Sequence, residues 1–185
     1  MKKTKKISTK DLTLAAVLTA LVVVLQLVGG MIPKVGTAEI SLVLLPIVIG
    51  GAIFGEKMGA WLGLVFSIVV LMLPGTAWFM SFSVAGTVIL VLLKGIACGF
   101  FSGLTYKLLK NRNKYVATLV SSIVCPVVNT GIFVIGVLAV FSGTDVIKVV
   151  LTTALLVNFS VELAINLVFN PLIIRIINLR QNLKK

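Results

Sequence analysis

Lys94 and Glu162 are ionisable side chains set within stretches otherwise apolar enough to cross a bilayer. An uncompensated charge at that depth costs at least ~2.5–3.5 kcal/mol on insertion scales, so such residues face a partner, a cavity or a substrate. Amides accompany them. Asn158, Glu162, Asn166 and Asn170 recur every four residues, which lays them along one slowly rotating helical face. Asn129 sits midway along another apolar stretch, just after Cys125-Pro126, where proline frees a carbonyl and tends to kink a helix. Two readings stay open. A Lys94–Glu162 ion pair with asparagine cross-links would be structural. A polar pocket formed by Lys94, Asn129, Asn158 and Glu162 would admit a small hydrophilic molecule, with Lys94 meeting its carboxylate or phosphate. The two overlap, since a resting ion pair can open for a ligand. Asn166 and Asn170 are assigned to packing or partner contacts, and Pro171 is expected to bend the helix that carries them.

Positioning these groups takes a membrane bundle. Of 185 residues, 59% are hydrophobic and 12% charged, against ~25% charged in a soluble domain, and the mean hydropathy is +1.18. The fold class expected is all-α integral membrane, a compact bundle of six transmembrane helices in a single domain over residues 1–185. Residues 1–10 form a basic N-terminus and 178–185 a basic tail. The apolar runs lie at about 12–32, 40–54, 58–73, 83–108, 116–141 and 146–177. The first is longer than the ~7–15 apolar residues of a signal-peptide core and is read as a retained span. Lys2, Lys3, Lys5, Lys6 and Lys10, then Lys57, then Lys107, Lys110, Arg112 and Lys114, and finally Arg175, Arg180, Lys184 and Lys185 all fall on one side of six crossings. The other side holds Lys34, with Lys148 just inside the last run. The positive-inside rule therefore puts both termini in the cytoplasm.

The net charge of +12 does not point to nucleic acid. The lysines flank hydrophobic runs, as topology and anionic lipid headgroups require, and no aromatics interleave with them to stack bases. Cys98 and Cys125 lie within apolar runs and histidine is absent, so a disulfide or metal site is not expected and the cysteines are read as packing residues. Gly50 and Gly55 have the glycine spacing of a P-loop, but Glu56 stands where its lysine belongs. No zincin, Gly-x-Ser-x-Gly or paired-carboxylate signature appears. The chain reads as non-catalytic and without a cofactor.

The junction Gly55-Glu56-Lys57-Met58-Gly59 reads as a two-glycine turn that reverses two helices tightly. The outer segment 74–82 carries Trp78, Phe79 and Phe82, either as an interfacial aromatic belt or as a lid over a pocket. Ala16 and Ala20, with Ala15 beside them, have the small-xxx-small spacing that lets helices approach closely in lipid. That pattern fits internal packing as well as a partner helix.

Six helices with both ends inside, a short second span, the Gly55–Gly59 turn, Ala16-x-x-x-Ala20 on the first helix and polar residues on the last three together resemble the S-components of energy-coupling factor (ECF) vitamin transporters. The stretch from Leu45-Pro46-Ile47 through Gly55-Glu56-Lys57-Met58-Gly59-Ala60 is similar to their second-to-third helix junction. The resemblance covers essentially the whole chain and rests on the order of loose motifs. It implies a substrate-binding subunit of an ABC-type importer that captures a micronutrient from outside, in the cell membrane of a bacterium. Its alanine motif, here Ala15, Ala16 and Ala20, would dock on the transmembrane T-subunit, and two ATPase subunits would hydrolyse ATP. It also implies an outer-half pocket, carried over by position onto residues 36–39 including Glu39, and onto Lys94, Asn129, Asn158 and Glu162, with the segment 78–82, led by Trp78, as gate. The tryptophan-rich pocket of thiamine-binding members is missing and the riboflavin-type junction matches in part. Lys94 suggests an anion: pantothenate first, then riboflavin, lipoate or niacin. A self-sufficient proton-coupled carrier using Glu162 is the competing class, although inverted repeats are not seen. A membrane structural or assembly factor is a third.

Overall fold

The computed structural model describes residues 9–31, 42–140, 147 and 158–182, and these are helical with no strand among them. The helices are α1 (Thr9–Met31), α2 (Leu44–Phe54), α3 (Glu56–Met72), α4 (Pro74–Met80), α5 (Val84–Leu109), α6 (Lys114–Val140), α7 (Phe159–Val168) and α8 (Asn170–Asn182). By length and composition α1, α5 and α6 can each cross a membrane. The count rises to five if the bent pairs α3–α4 and α7–α8 each make one crossing. The chain is a multi-pass membrane protein.

At 1.5 Å per residue, the 11 residues of α2 reach about half the ~30 Å of a hydrocarbon core. Its environment explains how it survives: Leu44, Pro46, Ile47, Val48, Ile49, Gly50 and Gly51 are all buried. A helix apolar on every side belongs inside a bundle, and α2 touches α1, α3, α5, α6, α7 and α8. Gly55 alone separates α2 from α3, with φ of 95°, a region that only glycine enters freely. Its N–H donates to the Gly51 carbonyl at 2.9 Å. Gly59, read as the second turn glycine, instead lies inside α3, where an added Cβ would overlap the Gly99 carbonyl of α5. Gly63 meets Gly95 in the same way one turn on. Backbone therefore rests on backbone along α3 and α5, and van der Waals contact of this kind is what drives helix pairing in lipid.

The caps follow familiar chemistry. Asn113 Oδ1 accepts from the N–H groups of Tyr115 (2.8 Å) and Val116 (3.3 Å) at the start of α6, and Ser83 Oγ accepts from Gly86 N–H at the start of α5 (3.2 Å). Segment 74–82 is not an open loop. Pro74 presets φ for a first helical turn, and α4 turns away from α3 by 79°. The last run is not continuous either: α7 and α8 meet at Phe169 with a 50° bend. Pro171, whose ring cannot coexist with an undistorted preceding turn, stands just beyond it. Pro126 has a milder effect, and α6 passes through it as one helix.

Contacts between helix ends gather the basic residues. Arg180 of α8 pairs with Asp11 of α1, Lys114 of α6 donates to Asn178 of α8 at 2.9 Å, and Lys107 of α5 pairs with Glu56 of α3 at 2.7 Å. The start of α1, the α2–α3 turn, the α5–α6 turn and the end of α8 thus share one end of the bundle.

Candidate functional site

The polar residues converge on α6. Asn129 and Phe133 are one turn apart and so share a face. Asn129 is 5% exposed and donates its Nδ2 to Glu162 Oε2 of α7 at 3.3 Å. Glu162 is itself 5% exposed. One turn further from the basic end, Lys94 Nζ of α5 lies 4.7 Å from the Phe133 ring centroid and 5.9 Å from that of Phe66 on α3. Lys94 is half-buried, and the aromatic faces offset part of the cost of holding an ammonium there.

An aromatic chain links that lysine to the end of the bundle opposite the basic one. Phe133 packs edge-on against Phe79 at 5.7 Å, and Trp78 packs edge-on against Phe79 at 5.0 Å and Phe82 at 5.3 Å. Phe79 and Phe133 also pack on the small cluster of Leu90 and Val137, which ties α4 down onto α5 and α6. Trp78 itself remains half exposed.

Below Glu162 the amides do other work. Asn166, fully buried, donates to the Glu162 carbonyl of its own helix at 2.9 Å. Asn170 donates to Ser122 Oγ of α6 at 3.0 Å and fastens the residue after the α7–α8 bend. Asn158, half-buried, immediately precedes α7. The carbonyl oxygens Asn129 Oδ1 and Asn166 Oδ1 are buried without a hydrogen-bond partner among the described residues. Leaving such a group unmet costs about 1–3 kcal/mol.

Lys94, Asn129 and Glu162 are therefore brought to one side of α6, with Trp78 two aromatic rings away, beyond Phe133 and Phe79. Glu39 and residues 36–39 lie outside the described residues. Ala16 and Ala20 are exposed on α1 and Ala15 is half-buried, while Leu18, Val22 and Gln26 form the buried face of that helix.

Sequence reasoning passed over several polar contacts. Ser67 Oγ of α3 donates to the Val91 carbonyl of α5 at 2.7 Å. Ser102 and Ser121 clasp α5 to α6, with Ser121 Oγ donating to the Ser102 carbonyl at 2.8 Å and the two hydroxyls 2.9 Å apart. The aromatic partners Phe66 and Phe133 were also unmarked, since one phenylalanine in an apolar run carries no signal. The Gly59-x-x-x-Gly63 and Gly95-x-x-x-Gly99 spacings did carry one, the same small-xxx-small rule applied to alanine. Among the described residues no group of three or more His, Cys, Asp or Glu could hold a metal ion.

A family model described as ECF transporter, substrate-specific component, matches residues 10–177. No curated protein matches the chain.

Proposed function

The chain belongs to the substrate-specific components of ECF transporters, and from that premise we propose that it captures a small polar, anionic vitamin or vitamin precursor from outside the cell. A T-subunit and two ATPase subunits drive its delivery inward. Six crossings carry the bundle, its basic end and both termini in the bacterial cytoplasm, where the gathered lysines and arginines satisfy the positive-inside rule. The observation that carries the reading is Lys94, held half-buried over Phe133 and Phe66 at the outward end of the polar face. A ligand carboxylate forms a charge-assisted hydrogen bond with that ammonium. The unpartnered Asn129 oxygen favours a ligand with hydroxyl or amide donors beside its anionic end. Pantothenate has both, which places it ahead of riboflavin, lipoate and niacin.

Ala16 and Ala20 lie on the exposed face of α1, which favours docking on the T-subunit over internal packing. Titrating the purified chain against these four compounds tests the substrate. Micromolar binding of an anionic one, together with co-purification with T- and ATPase subunits, is expected. Absence of both would sink the proposal. A second reading rests on Glu162, a buried carboxyl at membrane depth: a proton-coupled carrier working alone. Uptake into liposomes by the lone chain under a proton gradient would favour that reading.

A further inference from the structure

At the basic end, the α2–α3 turn and the last turn of α5 enclose a groove of about 320 Å³, within the ~300–1,000 Å³ of small-ligand sites. Ile53 and Phe54 give it an apolar wall, and Lys57, Lys107 and Lys110 surround it. One carboxylate already occupies its edge. Glu56 pairs with Lys107 at 2.7 Å, and that bond, with a backbone amide contact, holds its carboxyl below the usual range. Three cations against one anion leave the groove with an excess of two positive charges. Lys57 and Lys110 stand exposed.

Its surroundings are those of a membrane surface. Trp61 lies one turn after Lys57 on α3 and is 51% exposed, the tryptophan–lysine pairing that marks the headgroup level. Leu108, between Lys107 and Lys110 in the chain, is 68% exposed and offers acyl chains an apolar landing.

We propose that this groove binds the phosphate headgroup of an anionic phospholipid, with Lys57 and Lys110 holding the phosphodiester and the wall of Ile53 and Phe54 receiving the start of its acyl chains. A free phosphate shares the first contact and not the second. Glu56 competes with the lipid for Lys107, so neutralising Glu56 strengthens lipid binding.

The test places the full-length chain in nanodiscs of equal phosphatidylglycerol and phosphatidylcholine and measures retained lipid by native mass spectrometry. The wild type is expected to enrich phosphatidylglycerol. K57Q and K110Q are each expected to lower the enrichment about fivefold, the effect of one basic residue at an anionic surface. K57R/K110R is expected to keep it, and E56Q to raise it. Glycerol phosphate and inorganic phosphate should leave thermal stability unchanged. Equal retention of both lipids, unaltered enrichment in K57Q/K110Q, or stabilisation by free phosphate matching that by phosphatidylglycerol overturns the proposal. If K57Q/K110Q loses its helical circular-dichroism signal, E56Q decides, and no rise in enrichment overturns it.

Discussion

Lys94 and Glu162 reach the same face of α6 one turn apart, Lys94 over the Phe133 ring and Glu162 on the Asn129 amide. Stacked this way, the cation lies nearer α4 and the carboxyl deeper in the bundle. Replacing Lys94 with Ala is expected to weaken binding of a carboxylated ligand by ~1–3 kcal/mol, the worth of a charge-assisted hydrogen bond. Calorimetric titration measures it, and unchanged affinity would make Lys94 a structural residue.

Asn129→Leu should destabilise the protein by about 1–3 kcal/mol, because Glu162 loses a donor while buried. Adding Glu162→Gln should recover part of that loss. Thermal melts of both single variants and the double variant give the coupling, and additive effects would show that the 3.3 Å contact carries no energy.

Gly59→Ala and Gly63→Ala are each expected to cost ~1–3 kcal/mol of stability, the usual penalty of overpacking, since each new methyl would meet a carbonyl of α5. Gly131→Ala, with open space at its Cβ position, should be neutral or stabilising. Equal melting temperatures for all three would refute the backbone contact.

Ala16→Trp or Ala20→Trp should abolish uptake by the assembled transporter and leave ligand affinity of the isolated chain intact, because both positions face outward. Loss of binding as well would return these residues to internal packing.

The Glu56–Lys107 pair sets a pH dependence. The folded carboxyl titrates below its ordinary value, chiefly through the Lys107 hydrogen bond. Its stabilisation is therefore present above the unfolded pKa and lost as pH falls through the lowered folded one. The melting temperatures of wild type and Lys107→Ala should differ at neutral pH and converge in acid. A difference that persists in acid would exclude the pair as its source.

The spans at α1, α5 and α6 were legible because apolar length is a strong signal, while residues 141–146 and 148–157 of the last two runs lie outside the described residues. The breaks were less legible. Pro171 announced the bend realised at Phe169, while Pro126 passed without ending α6. The helix at Pro74–Met80 was hidden by its shortness and by a Pro-Gly start that reads equally as a turn. Of the polar face, spacing along one helix showed Asn158, Glu162, Asn166 and Asn170 together. Which neighbour each would meet depends on how α7 is rotated against α6, its main neighbour, and spacing along one helix does not show that; the glycine spacings mark only the contacts between α3 and α5.

Those contacts have a mechanical meaning. A junction made of backbone has no rotamers to rearrange, so it offers no second packing state of the kind that switching requires. Helices α3 and α5 behave as one stiff plate that carries Lys94 and Phe66 together. At α4, by contrast, side chains mediate the contact, through Phe79 on Phe133, and rotamers there can rearrange where backbone cannot.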